Sequence, residues 1–130
     1  MAISTEVDDL DRQIVRLEED LRKRKLKIIQ ISNDIQKIEE YIKKCFEGKG
    51  LCKINLIRIK ESYVIDFIEY KEMKKLYEDN HDLLIQHQIV KSNKNREIKE
   101  IQEAIPVVES FLKEAKKQRQ EWGVIIQFPK

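Results

Sequence analysis

Apolar residues in the first third of the chain fall at alternating intervals of three and four: Val7, Leu10, Ile14, Leu17, Leu21, then Ile28, Ile31, Ile35, Ile38, Ile42 and Cys45. Arg24 is the one polar occupant of the series. A mean interval of about 3.5 on a helix of about 3.6 residues per turn holds these side chains in one narrow seam, which another helix must cover. The spacing predicts a coiled-coil helix over about residues 4–47, roughly 60 Å long. Ser4 and Thr5 are the expected N-caps, with Glu6, Asp8, Asp9 and Asp11 complementing the helix dipole. In heptad terms Ile with Leu in the first two repeats favours two strands, whereas Ile at both positions further on favours three or four. The seam can be covered by a second copy or by a helix of the same chain.

Gly48 is the expected left-handed stop. Beyond it the grain changes. Ile54, Leu56, Ile57 and Ile59, then Val64, Ile65, Phe67 and Ile68, are rich in β-branched residues around the polar Lys60, Glu61 and Ser62, so a β-hairpin is expected at about 52–68, against a rival helix from Ser62. Helix resumes near residue 69. A second three-four series runs back from Trp122 through Arg119, Ala115, Leu112, Val108, Ile105, Ile101 and Ile98, then through Lys94, Lys91, His87, Leu84, Asn80, Tyr77, Met73 and Tyr70. Its middle is polar. Cap-like clusters at residues 79–82 and at Ser92, Asn93 and Asn95, together with Pro106, predict breaks, and Leu76, Leu83, Ile89 and Val90 suggest that the buried face turns there. Gly123 is expected to close the last helix, leaving Val124, Ile125, Ile126 and Phe128 as an apolar docking tail, an added strand at 124–128.

The fold class expected is therefore mainly α. One elongated domain over residues 1–130 would hold a coiled-coil helix (about 4–47), an interrupted helical half (about 69–122) and a small β element (hairpin about 52–68, strand 124–128). The oligomerisation seam comprises Val7, Leu10, Ile14, Leu17, Leu21, Arg24, Ile28, Ile31, Ile35, Ile38 and Ile42. A second seam comprises Ile98, Ile101, Ile105, Val108, Leu112, Ala115 and Trp122.

Composition narrows the function. Charged residues make up 38% of the chain and hydrophobic residues 41%, yet the net charge is only +2, so no global field draws the chain to nucleic acid or membrane. No stretch is apolar enough to span a bilayer, residues 1–6 lack a signal-peptide layout, and Cys45 with Cys52 is too little for a disulfide framework. A soluble, cytoplasmic protein with free thiols is expected. The basic run Arg22, Lys23, Lys25 and Lys27 is a candidate nucleic-acid contact, but Glu18, Glu19 and Asp20 precede it at helix-pair spacing, which favours a solvated face.

Phosphate loops, zincin pairs, nucleophile elbows and EF-hand loops are absent from the sequence. His81 and His87 stand six apart, on different faces of a helix, and read as polar surface or a cap; no metal, cofactor or catalytic residue is expected. The order long helix, β-hairpin, long helix is similar to the layout of prefoldin-type chaperone subunits, which implies a holdase as an alternative function. The leading expectation is a non-enzymatic scaffold or adaptor that self-associates as a dimer to tetramer, docks another protein through its β-rich end, and uses no membrane. A nucleic-acid accessory factor is the third reading, and the Ile, Lys and Asn richness suggests AT-rich coding of phage or viral type.

Overall fold

The computed structural model describes residues 2–62 and 64–127, with side chains from Thr5 to Gly123. The described residues are 96% helical and form two long helices, α1 (Ala2–Lys60) and α2 (Phe67–Gln127). Among the described residues there is no strand, so the β-hairpin expected at 52–68 is helix, turn and helix instead.

The reason lies in the seam itself. The three-four series does not stop at Cys45: it continues through Lys49, Cys52, Leu56 and Ile59, and every one of these is buried or half-buried. Gly48 and Gly50 lie inside the helix with no positive φ, so neither acts as a left-handed stop. A mid-helix glycine costs only about 1 kcal/mol, against roughly 1.5–3 kcal/mol for each large apolar side chain removed from water. Seam burial outweighs both the glycines and the β-propensity of the isoleucines. At the other end, helix already runs from Ala2, so Ser4 and Thr5 are inside α1 rather than capping it.

Glu61, Ser62 and residues 64–66 lie between the two helices. Ser62 Oγ donates to the Arg58 carbonyl at 3.0 Å, closing α1, and Asp66 Oδ1 accepts from the backbone N–H groups of Ile68 (3.0 Å) and Glu69 (3.2 Å), opening α2. Asp66 is thus the N-cap, and helix starts at Phe67 rather than at Ser62.

α2 is unbroken for 61 residues. Asn80 does not cap a new helix; its Nδ2 donates back to the Leu76 carbonyl at 3.0 Å. Pro106 sits inside α2 without ending it, giving up one backbone hydrogen bond. Gly123 likewise has helical backbone, and Val124, Ile125 and Ile126 belong to the last turns of α2, not to a strand; Phe128 lies outside the described residues.

The chain divides into two compact units. Unit 1 joins the part of α1 up to Ile31 to the part of α2 from Glu97. Its core holds Val7, Leu10, Leu21, Ile31, Val108 and Ala115, with Ile14, Leu17, Ile28, Ile98, Ile101, Ile105, Leu112 and Trp122 half-buried. Unit 2, Ser32–Arg96, is a helical hairpin with Ile35, Ile38, Cys52, Ile59 and Leu84 buried. In each unit, residues of α1 meet residues of α2 in antiparallel order: Asp11 with Arg119 and Glu18 with Lys116 in unit 1, and Asp34 with Lys94, Glu39 with Lys91 and Arg58 with Glu69 in unit 2. The first helix's seam is covered by the chain's own second helix.

Candidate interaction surfaces

Every position of the second three-four series, from Tyr70 to Trp122, is buried or half-buried, including the polar ones. The buried face does not turn in the middle of α2. Instead Asn80, His87, Lys91 and Lys94 stay in the seam of unit 2, where α1 supplies partners. Lys91 Nζ is 3.2 Å from Glu39 and Lys94 Nζ 3.5 Å from Asp34, and the His87 ring stacks on Tyr41 with centroids 5.5 Å apart. His81 also faces α1, its Nδ1 lying 2.8 Å from Lys49 Nζ. Both histidines are therefore inter-helix contacts, neither cap nor open surface.

The counterpart of this polar seam is an apolar stripe on the outside. Leu76, Leu83 and Val90 recur every seven residues beside the seam and are 50%, 44% and 42% exposed, with Ile89 exposed next to them. A two-helix seam needs two apolar positions in seven; a third, adjoining one is the pattern of a helix with more than one neighbour. Around these residues unit 2 thus keeps lysines inward and leucine, valine and isoleucine outward.

A second apolar surface lies at the turn of unit 2. Val64, Phe67 and Ile68 are 83%, 71% and 72% exposed, and Ile54, Ile57 and Ile65 join them. Sequence reasoning placed these residues at the docking end but gave them to strands. The missed signal is the Asp66 to Glu69 spacing, a carboxylate at the cap with a carboxylate three residues on, which marks a helix start.

Of the remaining expected residues, Arg24 is half-buried in the seam of unit 1, with its Nε 2.8 Å from Asp20. In the basic run, Arg22 Nε donates to Glu19 at 3.1 Å. This hydrogen bond holds the Glu19 carboxyl below its ordinary pKa and raises that of Arg22. Lys23, Lys25 and Lys27 are exposed. Cys45 and Cys52 are free thiols seven residues apart on one helix, a rise of roughly 10 Å that no disulfide spans.

The surface hollows are open. One of about 460 Å³ is lined by Glu109, Leu112, Lys113, Lys116, Lys117 and Gln120, all from a single helix. Among the described residues no group of three or more His, Cys, Asp or Glu is placed to hold a metal ion. No helix among them is long and apolar enough to cross a membrane.

The fold and its surfaces define a class, two long helices that pack in antiparallel, coiled-coil fashion within each unit. Beyond the class, no family model matches the chain, and no curated protein or solved structure is significantly similar to it.

Proposed function

We propose that the protein is a non-enzymatic, self-associating scaffold or adaptor, in which the outward stripe Leu76, Leu83 and Val90 of unit 2 packs against the same stripe of a second copy. One observation carries the reading: unit 2 holds Lys91 and Lys94 in its seam while Leu83, Ile89 and Val90 stand exposed. Two copies related by a two-fold axis near Leu83 would set Leu76 against Val90 of the other copy, making four helices locally. Each α2 would then have the two neighbours its apolar pattern calls for. The near-neutral net charge of +2 adds little self-repulsion. The holdase alternative loses the feature that suggested it, the β element between the helices.

The test is mass in solution. Light scattering on the full chain is expected to give at least twice the 15.6 kDa of one chain. The double variant Leu83→Glu, Val90→Glu should fall to a single chain with its helical circular dichroism kept, because both positions face solvent within one copy. A wild-type chain that stays at the mass of one copy over a hundredfold range of concentration, on the order of two decades around a typical μM Kd, would refute the reading.

A further inference from the structure

The turn of unit 2 carries its apolar side chains outward, and no seam accounts for them. Val64 and Ile65 lie on the turn, Phe67 and Ile68 open α2, and Ile54 and Ile57 lie on the outer side of the end of α1; all are exposed. The last turns of α1 at this end are also basic, with Lys49, Lys53, Arg58 and Lys60. Residues 48–75 contain seven Lys and Arg against four Asp and Glu, a balance of +3, whereas the whole chain has 26 against 24, so the remainder is at −1. No acidic residue occurs in positions 48–60. Of the four acids in the wider stretch, Asp66 is engaged in capping α2 and Glu69 faces Arg58 at 3.4 Å. Lys53 and Lys60 are exposed beside the isoleucines.

We infer that this end docks on an anionic lipid surface, with Val64, Phe67 and Ile68 entering the boundary between headgroups and acyl chains and Lys53 and Lys60 meeting lipid phosphates. Shape and charge both favour lipid over protein. A partner helix fits a periodic stripe such as Leu76, Leu83 and Val90; here the exposed apolar side chains come from two helix ends and the turn between them and follow no heptad stripe, an arrangement that a fluid interface accepts without a matching hollow. Apolar residues interleaved with lysine are the composition of an interfacial anchor, in which burial and attraction to anionic lipid add. The contact is superficial, no helix of the described residues being long and apolar enough to cross. The expectation of no membrane partner came from the net charge of the whole chain and from the lack of a bilayer-spanning stretch, neither of which tests a superficial contact at one end. The inference goes beyond self-association and does not require it.

The experiment is co-sedimentation of the full chain with vesicles of phosphatidylcholine and phosphatidylserine, against phosphatidylcholine alone. The expected result is binding to the mixed vesicles, about tenfold or more tighter than to phosphatidylcholine and weakened by added salt. Phe67→Ser with Ile68→Ser should lower binding about tenfold or more, each being a large apolar side chain withdrawn from the interface. Both are exposed, so helical circular dichroism should stay unchanged. Lys53→Glu with Lys60→Glu should remove the preference for phosphatidylserine. Absence of wild-type binding to the mixed vesicles, or full retention by the Phe67→Ser, Ile68→Ser chain, overturns the inference. So does a wild-type chain that ignores vesicles while the Phe67→Ser, Ile68→Ser change lowers its mass in solution, which would make the turn a contact between copies. Vesicle binding measured also on the Leu83→Glu, Val90→Glu chain separates this outcome from that of the self-association test.

Discussion

Gly48 and Gly50 sit two residues apart in the same helix and have opposite surroundings. A side chain on Gly48 would come within 3.2 Å of the Asn80 amide, whereas at Gly50 nothing lies within 4 Å. Gly50→Ala should therefore stabilise the chain by roughly 0.5–1 kcal/mol, the ordinary helix-propensity gain, in urea unfolding followed by circular dichroism. Gly48→Ala should gain less, because Asn80 must shift away from its bond to the Leu76 carbonyl. These two glycines also show where single residues mislead. Read as punctuation they end a helix; read against the heptad count that runs through them to Cys52 and Ile59, they are interior positions. Asp66 is the converse case, a cap visible in its spacing to Glu69 yet hidden between two apolar runs that looked like strands.

At the scale of the element, α1 was largely legible because its seam is almost wholly apolar, so period and composition agree. α2 was legible in phase but not in continuity. Its three-four series names the inward positions correctly even where they are Asn80, His87, Lys91 and Lys94, while composition alone pointed to breaks and a rotated face. Tertiary pairing decided the matter: Glu39 and Asp34 on α1 accept the lysines, whose long stems pack while their heads reach partners at the seam edge. Such half-exposed pairs stabilise by at most about 1 kcal/mol. Lys91→Leu is thus expected to raise stability by about 1 kcal/mol, since burying an apolar side chain there outweighs the lost pair. A loss of more than about 1 kcal/mol in the same urea titration would assign Lys91 a larger stabilising role than a partly exposed ion pair can have.

At the scale of the whole molecule, the division into two units has no mark in the heptad phase, which runs through both junctions unchanged. What distinguishes the units is the content of the seam. Unit 1 pairs Val7, Leu10, Leu21 and Ile31 with a segment of α2 that is apolar from Ile98 to Ala115, whereas unit 2 sets Ile35, Ile38 and Ile42 against His87, Lys91 and Lys94. Local opening tracks buried apolar contact. Backbone amides of residues 84–94 are expected to exchange with solvent faster than those of residues 101–112 in hydrogen-exchange mass spectrometry on the single-copy Leu83→Glu, Val90→Glu chain. Equal protection would mean that the polar seam costs no local stability.

Both helices keep an unbroken heptad register, and that constrains how the gene can drift. Losing or gaining one codon inside either helix turns all downstream side chains by about 100° around the axis, carrying one half of the seam into solvent. Length changes in the helices are tolerable only near multiples of seven and only when matched on the opposite strand of the hairpin; the turn is exempt. Homologues of this chain should accordingly differ in length at residues 61–66 and at the ends, and elsewhere by whole repeats removed in pairs.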